Sequence, residues 1–198
     1  MKFPIKSLTV ALASASAIAS PVLADSYNDG YAPKENGFYL TGAIGFGDTG
    51  EVKAADGWKT TIDTGFASET GLGYRFNQSI RTEVTYVYNA PVIEKLVKDG
   101  AAYSYVLSAY YDMNNDSKWT PYIGAGFGSS TINVTASTDD SDSTSIWQAK
   151  LGVSYDLSEK MDMFGELGYQ SLGKYHVNDR SFDEVDMVKG QLGIRFFF

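Results

Sequence analysis

The chain has 198 residues, 24 acidic against 16 basic side chains, no cysteine and a mean hydropathy of −0.20. Its acidic balance excludes a nucleic-acid binder, which needs clustered Lys and Arg to displace counterions from phosphate. The lack of cysteine excludes disulfide staples and thiolate metal sites, so packing and backbone pairing must hold the fold.

Residues 1–24 read as a secretory signal peptide: Lys2 and Lys6 precede an apolar stretch from Leu8 to Ile18, and Val22-Leu23-Ala24 supplies a small-residue cleavage site. That run is too short to span a bilayer as a helix. Without the leader, 14 basic residues face 24 acidic ones, a formal net charge of −10 on about 174 residues, which suits one domain.

Residues 25–36 are a polar lead, expected in the periplasm. The pattern then becomes period-two, the signature of a strand. Phe38, Leu40, Gly42, Ile44 and Phe46 alternate with Tyr39, Thr41, Ala43 and Gly45. In the segment Phe66 to Phe76, Phe66, Leu72, Tyr74 and Phe76 oppose Glu69, Gly71, Gly73 and Arg75, and Asn77-Gln78-Ser79 reverses the chain. From Ile80 to Tyr88, Val84, Tyr86 and Tyr88 oppose Arg81, Glu83 and Thr85; from Tyr103 to Met113, Tyr105, Leu107 and Tyr111 oppose Ser104, Ser108, Tyr110 and Asp112. A turn follows at Asn114-Asn115-Asp116-Ser117.

The fifth segment, Trp119 to about Ser130, carries Pro121 and a glycine-lined face of Gly124, Gly126 and Gly128, which would ruin a helix. The sixth sets Trp147, Ala149, Leu151, Val153 and Tyr155 against Gln148, Lys150, Gly152, Ser154 and Asp156, and turns at Ser158-Glu159-Lys160. In the seventh, Met163, Gly165, Leu167 and Tyr169 oppose Asp162, Phe164, Glu166 and Gly168, with Phe164 out of pattern. The last sets Val188, Gly190, Leu192, Ile194, Phe196 and Phe198 against Lys189, Gln191, Gly193 and Arg195. Eight strands are expected between residues 37 and 198.

Short connections near Asn77, Asn115 and Glu159 alternate with long, mostly polar ones at residues 47–60, 89–102, 131–145 and 172–183. Outer-membrane barrels have short periplasmic turns and longer external loops. Aromatic residues gather near strand ends, with Phe38, Tyr74, Tyr111, Trp119, Tyr155 and Phe196 at one rim and Phe66, Tyr88, Tyr103, Trp147 and Tyr169 at the other, as two interfacial girdles would. A soluble β-barrel or sandwich also alternates, but it would have to treat leader, loop asymmetry and girdles as coincidence and crowd its interior with Tyr. The reading adopted is all-β: an eight-stranded antiparallel up-and-down transmembrane barrel in the bacterial outer membrane.

The bulky face then meets lipid and the Gly/Ser/Ala-rich face fills a narrow lumen. Arg or Lys on the lipid face near the midplane would cost about 2–4 kcal/mol each. Lys150, Lys189 and Arg195 therefore belong inside, where Glu69, Glu83, Asp112 and Glu166 are expected to neutralise them and Arg81.

The segments Pro121-Tyr122-Ile123-Gly124-Ala125-Gly126-Phe127-Gly128, Gly152-Val153-Ser154-Tyr155-Asp156-Leu157-Ser158, Gly165-Glu166-Leu167-Gly168-Tyr169 and Gly193-Ile194-Arg195-Phe196-Phe197-Phe198, in this order, resemble the opacity-type small outer-membrane barrels, relatives of OmpX and the OmpA barrel. The resemblance covers roughly residues 37–198. It implies that Phe196 and Phe198 form part of a signal read by the outer-membrane assembly machinery, and that outer-membrane lipid and lipopolysaccharide surround the barrel. It carries over no ligand, because the family includes adhesins, invasion factors and structural proteins whose loops differ. The peptidoglycan-binding domain of full-length OmpA proteins is not expected.

No catalytic, cofactor or metal site is expected. His176 is the only histidine and lies near Ser181 and Asp183, which makes a hydrolytic triad conceivable, but nothing fixes its geometry and a solvated loop residue is the favoured reading. Asp139, Asp140 and Asp142 fit no calcium-loop spacing and read as a solvated acidic loop. Val92, Ile93, Leu96 and Val97 have spacings compatible with one face of a short helix. They are candidates either to contact a partner from a loop tip or to pack on the rim and extend the flanking strands. The leading expectation is a structural and surface-interaction protein that holds loops toward a host or surface ligand. The rivals are a narrow pore for small solutes or ions and, third, a lipid-modifying enzyme.

Overall fold

The computed structural model describes residues 36–53, 59–93, 100–135, 139–177, 180–182 and 184–198. The signal peptide and Leu96, Val97 and Asp183 lie outside the described residues, as does the polar lead except for Asn36. Eleven strands form among them: β1 Gly37–Asp48, β2 Gly50–Lys53, β3 Lys59–Arg75, β4 Ile80–Ile93, β5 Gly100–Asp112, β6 Trp119–Thr135, β7 Asp139–Ser158, β8 Met161–Leu172, β9 Tyr175–Val177, β10 Arg180–Phe182 and β11 Val185–Phe197.

β1, β3, β4, β5, β6, β7, β8 and β11 pair antiparallel with their neighbours, and β11 returns to β1 to close the ring. Following the pairings from Ser68 through Tyr88 and Tyr103 reaches Thr131 on β6. The opposite way round, through Ile44, Leu192, Gly165 and Val153, reaches Pro121 on the same strand, ten residues away. That stagger tilts the strands against the barrel axis, so each cross-strand row climbs toward the long-loop end from β3 to β7.

The short turns are fixed by local chemistry. The Asn77 side-chain oxygen accepts hydrogen bonds from the backbone N–H of Ser79 and Ile80 at 2.8 and 2.9 Å. Asn115 accepts from the N–H of Ser117 at 2.9 Å in the next turn. These Asx contacts replace a backbone turn bond and let the chain reverse within three or four residues.

The barrel is inside out relative to a soluble domain. Leu192, Phe127 and Ile44 are 67%, 66% and 63% exposed, while Arg81 and Arg195 are the largest fully buried side chains. Every bulky face read from the alternation points outward. The girdles assemble from cross-strand ring pairs: Phe38 with Tyr74 and Trp119 with Tyr155 at the short-turn end, Tyr88 with Tyr103 and Trp147 with Tyr169 at the other.

The expected long loops are corrected. β6 and β7 stay paired out to Thr135 opposite Asp139, so most of residues 131–145 is a hairpin arm, and Asp139, Asp140 and Asp142 sit in a strand. Val92 and Ile93 likewise belong to β4, paired with Asp63 and Ile62 of β3, so for these two the strand-extension alternative holds and the helical one does not. β2 pairs with β3, and His176 pairs directly opposite Ser181 in the β9–β10 hairpin. Thr, Val and Ile in these stretches favour the pleated backbone.

Candidate functional site

Eight inward faces meet in the lumen, and alternation alone delivers the charges there. Among the described residues five cations (Arg75, Arg81, Lys150, Lys189, Arg195) and five carboxylates (Glu69, Glu83, Asp112, Asp162, Glu166) are buried, so the enclosed charge sums to zero. An unpaired ion there would carry a desolvation penalty of several kcal/mol.

All eight predicted network residues are brought together, in two chains of alternating sign. In the first, Lys189 bonds Glu69, whose other oxygen lies 2.5 Å from Lys150 Nζ, and Lys150 lies 2.9 Å from Glu166. In the second, Arg75 reaches Asp112 at 3.3 Å, Asp112 receives Arg81 Nε at 3.0 Å, and Arg81 grips Glu83 at 2.6 Å. Arg195 continues this chain from Glu83 at 3.4 Å to Asp162 at 3.9 Å.

Aromatic rings insulate and join the chains. The Arg81 guanidinium lies 3.9 Å from the Tyr110 ring centroid, and that of Arg195 lies 4.0 Å from the Phe164 centroid. Such stacking is worth about 2 kcal/mol when desolvated. Tyr39 donates to Glu83 at 2.9 Å and Tyr122 to Glu166 at 3.1 Å.

Four of the inward rings have a glycine directly across from them on a neighbouring strand of the barrel. Tyr39 faces Gly73, Tyr110 faces Gly124, Tyr122 faces Gly152 and Phe164 faces Gly193. A Cβ at any of these glycines would overlap its ring. These glycines, on four different strands, are therefore the sockets into which the rings fit.

Toward the long-loop end the filling turns uncharged. Asn89 donates to Gln170 at 3.4 Å, Gln170 to Gln148 at 2.8 Å and Gln148 to Ser108 at 3.0 Å, and all four are buried. Sequence reasoning left Arg75, Asp162, Tyr39, Tyr110 and Tyr122 out of the network, although the alternation had placed all but Tyr122 explicitly on inward faces. The opposed glycines were the further signal available.

The outer surface carries a second feature. One cross-strand row reads Ser68, Tyr88, Tyr103, Thr131 and Ser143, and the next reads Thr70, Tyr86, Tyr105, Ser129 and Ser145. Every member has a hydroxyl and none a charge. The row below is Leu72, Val84, Leu107, Phe127 and Trp147, the upper part of the apolar band. The β11–β1 side of the same rim exposes Asp48, Glu184 and Asp186 instead.

A closed ring of eight antiparallel strands with apolar exterior, charged interior and two aromatic girdles is the architecture of a membrane-spanning barrel. The family model for the outer membrane protein beta-barrel domain matches residues 8–196. The chain belongs to this family. Like its members, the barrel resides in the bacterial outer membrane.

Among curated proteins, one from Brucella suis and one from Brucella melitensis are 27% identical to the barrel chain over 165 residues, covering 64% of it. The match covers 57% of those proteins' own length. Among solved structures, Neisserial surface protein A superposes with a TM-score of 0.67 at 24% identity, covering 81% of this barrel chain and 97% of that one. OprG from Pseudomonas aeruginosa gives 0.55 at 15% identity, with 85% and 99% covered. At these identities the likeness establishes the fold alone.

Val92 and Ile93 are held in β4 by backbone pairing, and Leu96 and Val97 lie outside the described residues. Phe196 and Phe198 project outward at the short-turn rim with their rings 5.9 Å apart.

Proposed function

We propose that this protein is a rigid, non-conducting scaffold that holds strand arms and loops outside the cell to contact neighbouring or host molecules. The observation that carries the reading is the filled lumen: two ion-pair chains, four rings seated on glycines and an amide layer occupy the bore in series. The β6–β7 hairpin, paired out to Thr135 and Asp139, supports it by giving the contact surface a stiff stem. We assign no catalytic role to His176, and we propose that Phe196 and Phe198 engage the assembly machinery.

A narrow pore is the second reading, favoured by the polar character of the bore. Planar-bilayer recording from the purified, refolded protein separates the two. A silent bilayer is expected, and steady open-channel steps would overturn the scaffold reading.

A further inference from the structure

We propose that Tyr86, Tyr88, Tyr103 and Tyr105 form an oxidative cross-linking site, at which a peroxide-derived one-electron oxidant joins β4 to β5 through carbon–carbon bonds between tyrosine rings. The site lies outside the filled lumen and needs no partner of the loops.

Strand pairing puts Tyr86 directly opposite Tyr105 and Tyr88 directly opposite Tyr103. Opposed side chains of an antiparallel pair hold their Cβ atoms about 4.5–5.5 Å apart, so the rings meet without distorting either strand. Ring centroids are 5.3 Å apart in both pairs, with the rings tilted by 52° and 44°. The diagonal pair Tyr86–Tyr103 stacks at 6.2 Å and 26°, which connects all four into one cluster. A biaryl bond joins neighbouring rings that are twisted against each other, and both opposed pairs start close to that arrangement.

The other described tyrosine contacts lack one requirement or another. On the outer wall Tyr74 lies beside Phe38 and Phe76, and phenylalanine forms no phenoxyl radical. Inside the lumen Tyr110 and Tyr122 are 5.9 Å apart but edge-on at 74°, and both are buried. The Arg81 guanidinium stands 3.9 Å from one of those rings and 4.7 Å from the other, and a fixed cation raises the cost of removing an electron. The outer four have no charged residue in their two cross-strand rows, and Tyr105 is two-thirds exposed.

The chemistry balances. Each phenol of a pair loses one electron to the oxidant and its hydroxyl proton to solvent. The two phenoxyl radicals couple at the ring carbons ortho to oxygen, and the hydrogens on those carbons return to the oxygens. The pair has then lost two electrons and two protons, which reduce one hydrogen peroxide to two waters through a haem catalyst. Tyr88–Tyr103 is the last rung but one of the β4–β5 pairing, which ends at Asn89 opposite Ala102, whereas β6 and β7 stay paired out to Thr135 opposite Asp139. The bonds therefore tie the hairpin where its strands part. The chain has no cysteine, so no disulfide can do so. A covalent ring through β4 and β5 restricts the unfolded chain as a disulfide does.

The test uses the full barrel refolded at one copy per phosphatidylcholine nanodisc and treated with hydrogen peroxide and a small haem peptide, with dityrosine fluorescence and peptide mass mapping as readouts. Wild type is expected to yield β4 and β5 peptides joined with the loss of two hydrogens, and after boiling to run faster on a denaturing gel because the covalent ring persists. Tyr105→Phe is expected to lose the link to Tyr86 and keep Tyr88–Tyr103, Tyr103→Phe to do the reverse, and Y86F/Y88F to lose both. Each variant keeps every ring, and heat-modifiable gel mobility before oxidation confirms the closed barrel. Absence of a joined β4–β5 peptide, equal linkage at Tyr110–Tyr122 or Trp147–Tyr169, or joined peptides that form only when two barrels share a nanodisc would each overturn the proposal.

Discussion

Lys150 on β7 and Glu69 on β3 meet across the lumen, Nζ to Oε2 at 2.5 Å, although 81 positions separate them in the chain. Both ions are buried, and each is shared: Glu69 with Lys189, Lys150 with Glu166. The first ion chain therefore fails as a unit. Lys150→Met is expected to leave Glu166 without an ion-pair partner among the described residues and to destabilise the barrel by about 3–5 kcal/mol. Adding Glu166→Gln to that variant removes the stranded carboxylate and is expected to restore much of the loss. Denaturant unfolding in lipid vesicles, followed by tryptophan fluorescence, measures both.

The ring sockets make a sharper steric prediction. Gly152 packs against Tyr122, whereas Gly42 faces outward with nothing within 4 Å of an added methyl. Gly152→Ala is expected to cost about 1–3 kcal/mol through overpacking. Gly42→Ala is expected to be neutral or to stabilise by up to about 1 kcal/mol, since glycine in a strand carries an entropic cost without a side chain to pack. Combining Gly152→Ala with Tyr122→Leu separates steric overlap from any general fragility of β7: relief of the loss identifies the ring.

Depth in the membrane can be read along a single cross-strand ladder. Leu107 lies in the apolar band, while Ser129 is on the hydroxyl row above it and two strand positions beyond Phe127, the partner of Leu107. Leu107→Arg is expected to cost about 2–4 kcal/mol and Ser129→Arg no more than about 1 kcal/mol, because the penalty falls toward the interface. Equal costs would mean that the outward face does not see a depth-dependent solvent.

The strand alternation made the inside and outside of the barrel legible because lipid and lumen impose opposite demands on successive residues. It exposed all eight predicted network residues, and it placed Arg75 and Asp162 on the wet face as well. Which charge meets which stayed hidden, because pairing depends on register and on the stagger of ten residues, neither of which leaves a mark in one strand. The rings were hidden for the same reason. Phe164 looked out of pattern until Gly193 appeared opposite it, with Arg195 stacked on its face. The β7 arm was missed on different grounds: from Asp139 to Ser145 every residue is polar, so period-two contrast disappears and Asp139, Asp140 and Asp142 mimic a loop.

Gln191 shows what an inward position costs when its partners are missing. Its side chain is 4% exposed on β11, and neither its amide nitrogen nor its amide oxygen has a hydrogen-bond partner among the described residues. Gln148 has the opposite accounting, giving its nitrogen to Ser108 and its oxygen to Gln170. A buried unsatisfied amide forfeits about 1–3 kcal/mol, while a satisfied one contributes about 0.5–1.5 kcal/mol per bond. Gln191→Leu, which keeps the volume and removes both polar atoms, is expected to raise stability by about 1 kcal/mol. Gln148→Leu is expected to lower it by more than that, since it also strands the Gln170 amide. If Gln191→Leu instead destabilises the barrel, trapped water bridges that amide to the ion chains, and water relaxation dispersion on the refolded protein would detect its long residence.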